Sequence, residues 1–313
     1  MSFLERALAL AERGRGTTYP NPLVGAVIVR GGDVVGEGWH ERPGEPHAEV
    51  HALRGARDRA RGATMYVTLE PCAHHGRTPP CTDALIAAGI VRVVIGTRDT
   101  NPTAGGGADR LGAAGVEVEL AGSQAARAQN AGYFSVHERG RPWVILKLAT
   151  TLDGRAAVPG ARWTTGDESR RRVHELRAWV DAVAVGMGTV RADQPRLDAR
   201  GVGAERQPRR LAFGRGPLPP ESSLELRTQP LADELSALAA EGVQTLLLEG
   251  GPTLARSFFA GDLVDELHVY VARRLGGSGP SWLDSVAGDL PLRHVAVSGV
   301  GDDLLLTAEI HDP

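Results

Sequence analysis

Two cysteines are all the chain has, and both follow a histidine and a carboxylate in an order that narrows the folds open to it: Pro46-His47-Ala48-Glu49, then Pro71-Cys72, then Cys81. One imidazole and two thiolates supply the three protein ligands of a zinc site whose remaining position is left to water. Zn²⁺ there lowers the pKa of that water toward neutrality. Glu49, two residues past His47, is then free to carry protons to and from it. In mid-helix the two side chains would point to different faces, so the pair is expected in a first helical turn. Two rival readings use the same residues. The cysteines could form a disulfide, although the N-terminus shows no secretory signal and a chain of 313 residues can bury its core without one. A closed structural zinc site would need a fourth ligand, for which His51, His74 and His75 are at hand.

Size and charge limit the partners. The length suits two domains, and 42% hydrophobic residues with no long apolar run predict packed cores and no membrane span. A net charge of −3 and 4% aromatic residues argue against a nucleic-acid binder, which needs basic patches and stacking platforms. A small substrate in the cytoplasm is the expectation, with homo-oligomers allowed but not required.

The first half alternates strands and helices. Residues 2–12 predict an amphipathic helix capped by Ser2. Residues 23–29 and 34–38 predict a hairpin turning at Gly31-Gly32-Asp33. Helices are expected over 47–59 and 81–88, strands over 63–69 and 91–96, and one helix over 123–137. Cys72 and Cys81 are both candidates for helix N-termini, where the dipole favours thiolate. Asp99-Thr100-Asn101-Pro102 and the glycine run at 105–107 follow a strand end, where open α/β sheets place ligands.

The metal pattern has the composition of the zinc-dependent nucleobase deaminases, except that eight residues rather than a Cys-x-x-Cys spacing separate the cysteines. The run Thr68-Leu69-Glu70-Pro71-Cys72-Ala73-His74-His75-Gly76-Arg77-Thr78-Pro79-Pro80-Cys81 resembles the deaminase half of the bifunctional riboflavin-biosynthesis deaminase/reductase family. That resemblance implies a cytidine-deaminase-like α/β/α sandwich in which Asn21, His74, Arg77, Asp99 and Asn101 bind a pyrimidine ribotide and Glu49 is catalytic. The family has Asp-Pro-Asn-Pro where this chain has Thr100 in second place.

A linker at Arg139-Gly140-Arg141-Pro142 sets the expected boundary between domains 1–141 and 142–313. Lys147 stands in the apolar strand 142–150, and by residue type alone it is as well explained by an exposed sheet edge as by a site. Lys147 to Gly154, Trp163-Thr164-Thr165-Gly166, Val185-Gly186-Met187-Gly188-Thr189-Val190 and Leu248-Glu249-Gly250-Gly251-Pro252-Thr253 resemble the reductase half of the same family. This implies a dihydrofolate-reductase-like α/β domain using NADPH. Lys147 would be catalytic, with Arg177, Leu197, Arg200 and Glu249 lining the sugar-phosphate pocket. Thr150, Trp163, Thr189, Asp193, Gly251, Pro252, Thr253, Leu254, Ala255, Arg256 and Ser257 would contact the cofactor. A glycine-led helix start after 244–249 independently offers free N–H groups to a phosphate, whereas Arg170, Arg171 and Arg172 read as a solvated helix face. Gln194 replaces a family aspartate, and 211–215 and 220–231 depart from the usual cofactor-binding strand. The expected function is therefore deamination followed by NADPH-dependent reduction. The alternatives are a deaminase whose second domain has lost its cofactor, a tRNA base editor, and a zinc-stabilised module without catalysis.

Overall fold

The computed structural model describes residues 1–75, 79–282, 286 and 288–313. Its contacts divide the chain into two compact units, Met1–Arg139 and Gly140–Asp312.

The first unit runs α1 (Phe3–Ala11), β1 (Gly25–Arg30), β2 (Asp33–Trp39), α2 (Ala48–Ala56), β3 (Thr64–Leu69), α3 (Cys81–Ala88), β4 (Arg92–Thr97), α4 (Gly107–Ala113), β5 (Glu117–Leu120), α5 (Gln124–Gln129) and α6 (Ala131–Arg139). The sheet order is β2-β1-β3-β4-β5. β1 lies antiparallel to β2 and β3, while β3, β4 and β5 are parallel. Alternation along the strands makes two buried faces. Ala26, Ile28, Met65, Val67, Val93 and Ile95 share one core with Ala48, Ala52, Leu85 and Leu111 of the helices. Val27 and Val29 face the other way, onto Ala7 and Leu10 of α1. This is the α/β/α sandwich expected from the sequence.

Helix α2 carries the His47 and Glu49 positions, and its docking is set by small residues on both sides. Ala48, Ala52 and Ala56, one turn apart, are fully buried. They meet glycines of β2, where a Cβ at Gly36 would stand 2.2 Å from the Ala52 carbonyl oxygen and one at Gly38 2.5 Å from that of Ala48. Larger residues on either surface would push the helix away.

The single helix expected over 123–137 is broken. Asn130 leaves helical geometry between α5 and α6, and its buried side chain both accepts from the Leu23 N–H (2.8 Å) and donates to the Leu23 carbonyl (2.9 Å). A partner 107 residues away along the chain overrides the helical pattern.

The second unit runs β6 (Trp143–Thr151), α7 (Asp167–Trp179), β7 (Ala182–Gly186), α8 (Met187–Asp193), β8 (Arg209–Phe213), β9 (Glu225–Arg227), α9 (Leu231–Ala240), β10 (Thr245–Leu248), α10 (Pro252–Ala260), β11 (Glu266–Ala272), β12 (Arg293–Val300) and β13 (Asp303–Glu309). These strands are ordered β12-β13-β11-β6-β10-β7-β8-β9, parallel from β11 through β9. Leu246, Leu247 and Leu248 of β10 are fully buried, each worth about 1.5–3 kcal/mol by transfer. The shortened 220–231 segment survives as the three-residue edge strand β9. β6 is interior, flanked by β10 and β11, so Lys147 does not sit on an exposed edge. Among the described residues, no helix is long and apolar enough to cross a membrane.

Candidate active sites

In the first unit, His47 is the N-cap of α2, in extended backbone, and Glu49 stands in the first turn. Cys72 follows the end of β3 in irregular chain, and Cys81 is the first residue of α3. Only Cys81 therefore begins a helix. Cys72 reaches the same N-terminus differently: its sulfur accepts the Cys81 backbone N–H at 3.3 Å. The His47 Nδ1 lies 3.2 Å from the Cys81 Sγ and 3.6 Å from the Cys72 Sγ. All three ligand atoms lie within 4.8 Å of one another, and His51, His74 and His75 do not join that group. The cysteines are free thiols.

The electrostatics suit a cation of borderline softness such as zinc. Cys72 is pulled down to about 4 by its hydrogen bond with Cys81, with His47 assisting, while the same shared proton pushes Cys81 up. The bond to Cys72 raises His47. Burial raises Glu49, which is 3% exposed. Its Oε2 atom is buried without a hydrogen-bond partner among the described residues. One imidazole, two sulfurs and an unsatisfied carboxyl oxygen beside them meet the needs of a three-ligand zinc site.

Asn21 is reached through a residue that sequence reasoning missed. The Nδ1 of buried His40 lies 3.3 Å from the Pro46 carbonyl oxygen, which can only accept, so Nδ1 carries the proton. Nε2 must then accept from the Asn21 side-chain amide at 2.9 Å. The His40 ring also stands edge-on to His47, 5.4 Å between centroids. Nothing in the local pattern around His40 marked it. Asp99 is half-buried and raised by that burial; its carboxylate accepts from the Tyr133 hydroxyl at 2.9 Å and the Asn101 N–H at 2.9 Å. Asn101 spends its side-chain oxygen on Thr103. His74 is exposed. Arg77 lies outside the described residues.

In the second unit, Lys147, Arg177 and Glu249 come together from β6, α7 and the end of β10. Arg177 donates to both oxygens of Glu249, at 2.6 and 2.9 Å, and the Lys147 Nζ lies 3.6 Å from Glu249 Oε2. Burial lowers Lys147. Burial would raise Glu249, but the Arg177 and Lys147 charges overcome it and hold the carboxyl below its ordinary range. Leu197 is buried with φ 53°, and exposed Arg200 is ion-paired with Asp198.

Of the cofactor candidates, Gly251 is the N-cap of α10 and Pro252 its first residue. A Cβ on Gly251 would lie 3.9 Å from the Thr189 hydroxyl, so the starts of α8 and α10 stand side by side. Thr253, Arg256 and Ser257 are exposed, whereas Ala255 is buried and Leu254 packs toward Gly186 and Gly250. Those two offer only backbone to a ligand. Thr150 is buried, Asp193 is exposed, and Trp163 is half exposed with the guanidinium groups of Arg162 and Arg170 over its ring. Arg170, Arg171 and Arg172 pair with Asp167, Glu168 and Glu175 on their own helix, as a solvated face should.

A family model described as "RibD C-terminal domain" matches residues 142–306, and one described as "Cytidine and deoxycytidylate deaminase zinc-binding region" matches 1–97. The riboflavin biosynthesis protein RibD of Aquifex aeolicus is 39% identical, covering 97% of each chain, and that of Escherichia coli 40% identical, again covering 97% of each. The chain belongs to the RibD family. Among solved structures, RibD of Acinetobacter baumannii (form 1) aligns with TM-score 0.90 at 36% identity, covering 99% of this chain and 98% of that one. A Thermotoga maritima protein described as a diaminohydroxyphosphoribosylaminopyrimidine deaminase/5-amino-6-(5-phosphoribosylamino)uracil reductase aligns with TM-score 0.87 at 34% identity, covering 99% and 98%. The RibD architecture is thus a cytidine-deaminase-like unit followed by a dihydrofolate-reductase-like one.

Proposed function

We propose that this chain catalyses two steps of riboflavin biosynthesis. Residues 1–141 would deaminate 2,5-diamino-6-ribosylamino-4(3H)-pyrimidinone 5′-phosphate, and residues 142–313 would reduce the ribosyl group of the product to ribityl, giving 5-amino-6-(5-phosphoribitylamino)uracil. The observation that carries the first step is the convergence of His47, Cys72 and Cys81 beside Glu49. Those three residues would hold Zn²⁺, whose chemistry there would be to make a water nucleophilic at neutral pH. Glu49 would carry both protons of the attacking water in turn: the first to the ring nitrogen as the carbon–oxygen bond forms, the second, from the hydroxyl then on that carbon, to the amine, which leaves as ammonia as the carbon–nitrogen bond breaks and the carbonyl forms. Its burial and raised pKa suit a group that must hold a proton between the two transfers. Asn21, fixed by His40, would present its amide oxygen to the pyrimidine edge, with Asp99, Asn101 and His74 lining the remainder; a role for Arg77 rests on the family resemblance alone.

In the second step bound NADPH would supply a hydride to the ribosyl C1′. As the bond from C1′ to the ring oxygen opens, Lys147 is suited to deliver the proton that the oxygen gains, because burial has made its ammonium more acidic. Glu249 holds Lys147 and Arg177 in place; Arg177 and Arg200 offer guanidinium groups to the substrate phosphate, and Leu197 closes that pocket. The paired starts of α8 and α10, with free N–H groups at Thr253 and Leu254, suit the cofactor's phosphates. Thr150, Trp163, Thr189, Asp193, Arg256 and Ser257 would complete that surface. Nothing favours a deaminase that has lost its reductase.

The reading takes a small cytoplasmic substrate rather than RNA, and an RNA titration at varied salt tests that choice. The decisive experiment follows ammonia release and nicotinamide absorbance together on the diaminopyrimidine ribotide, with zinc-replete protein. Ammonia first and NADPH oxidation after it support the proposal; ammonia without NADPH oxidation would remove the second half. Sedimentation at several concentrations tests whether the chain forms a homo-oligomer.

A further inference from the structure

Glu70 plays no part in the chemistry above, yet it is a buried acid, 5% exposed, two residues before Cys72. Its position comes from the sheet: β3 ends at Leu69, and the Glu70 N–H continues the ladder by donating to the Thr97 carbonyl at 3.0 Å. From there its two carboxylate oxygens reach in separate directions. Oε2 accepts the Asp99 N–H at 3.1 Å, and Oε1 accepts the Ala108 N–H at 2.8 Å. The second bond replaces a missing cap, since Gly106, the N-cap of α4, has no side chain to satisfy that turn.

The next residues continue the clamp. A Cβ on Gly107 would stand 1.7 Å from the Pro71 carbonyl oxygen, so the glycine loop lies directly on the chain entering Cys72. The Cys72 carbonyl accepts from the Thr82 N–H and hydroxyl, both at 3.3 Å. Three consecutive residues thus hold three neighbours: Glu70 both ends of the 99–108 loop, Pro71 its Gly107, and Cys72 the start of α3.

We propose that Glu70 is a positioning residue for the substrate, which fixes the loop bearing Asp99 and Asn101 in register with the Cys72 segment while touching neither substrate nor metal. This rests on the deaminase reading. Without the carboxylate, the Asp99 and Ala108 N–H groups lose their acceptor and the loop is free to lift from Pro71, whereas His47, Cys72, Cys81 and Glu49 keep their own supports. The effect should fall on binding rather than on the chemical step.

The test uses the full chain carrying Glu70→Ala or Glu70→Gln. Losing the charged acceptor should raise the deaminase KM about tenfold in Glu70→Ala, with kcat within about twofold of wild type, unchanged zinc content, and unchanged NADPH-dependent reduction of the deaminated product. Glu70→Gln keeps one acceptor oxygen and should fall between. Amide exchange over 98–108 should quicken at least roughly tenfold in Glu70→Ala, with α2 and β3 unaltered. A fall in kcat with KM unchanged, or loss of zinc, would mark Glu70 as a structural support and overturn the proposal, as would unchanged exchange in the loop. Should wild type release no ammonia, the deaminase reading fails by itself, and the exchange measurement still decides whether Glu70 fixes the loop.

Discussion

The cluster of His47, Cys72 and Cys81 and the Lys147 cluster are both largely buried groups of titratable side chains, but they are satisfied in opposite ways. In the first, the hydrogen bond between the two sulfurs pulls Cys72 down and pushes Cys81 up, and the neighbouring Glu49 keeps an oxygen without a partner among the described residues. In the second, one carboxylate is matched by a guanidinium through two bonds and by an ammonium beside it. The first arrangement looks outward for a positive charge to complete it; the second is complete in itself and needs a ligand only for chemistry. Folding and metal loading should therefore be coupled in the first unit, while the second should be preorganised without cofactor.

Substitutions at the metal ligands should break the comparison most sharply. Cys81→Ser is expected to abolish zinc binding, measured by metal analysis, and to reduce ammonia release by more than about a thousandfold, while the second unit still oxidises NADPH with deaminated product. Glu49→Gln comes next: zinc should stay bound, and kcat for deamination should fall roughly 10²–10⁴-fold. Normal turnover with metal in place would sink the proton-carrier assignment. In the second unit, Glu249→Ala leaves two buried cations without their acid and should destabilise it by about 3 kcal/mol, read from urea unfolding, with ammonia release intact. The smallest effect is the pH dependence of the same pair. The Glu249 carboxyl is held below its unfolded value of about 4.3. Its contribution is therefore fully present above that value and is lost as pH falls through the lower folded one. The wild-type and Glu249→Gln unfolding midpoints should converge in that acid range.

Local signals in the sequence were legible because their causes are local. Ser2 caps α1 and closes a box with Glu5, Cys81 opens α3 after two prolines, and the hairpin turns where glycines and Asp33 allow it. The convergence of His47, Cys72 and Cys81 was legible too, since residue type and order mark them as a candidate ligand set. What stayed hidden depends on partners distant in sequence. The break at Asn130 is caused by Leu23, the interior place of Lys147 by two later strands, and the tautomer of His40 by Pro46 and Asn21 together. Glu70 stands within a recognisable motif, but its bonds to a loop 29 and 38 residues further on have no counterpart in local periodicity. The expectation of one long helix over 123–137 failed for that reason, and so did the idea that both cysteines begin helices.

The seam between α2 and β2 has a consequence for how the first site can vary. Because main chain rests almost on main chain where Ala48 and Ala52 meet Gly38 and Gly36, the hairpin acts as a ruler that fixes how deep His47 sits. An added methyl at Gly36, on a strand that contributes no ligand, would be transmitted as a displacement of the imidazole and would be read out as weaker zinc retention. Residues along this joint thereby bear on a site they never touch.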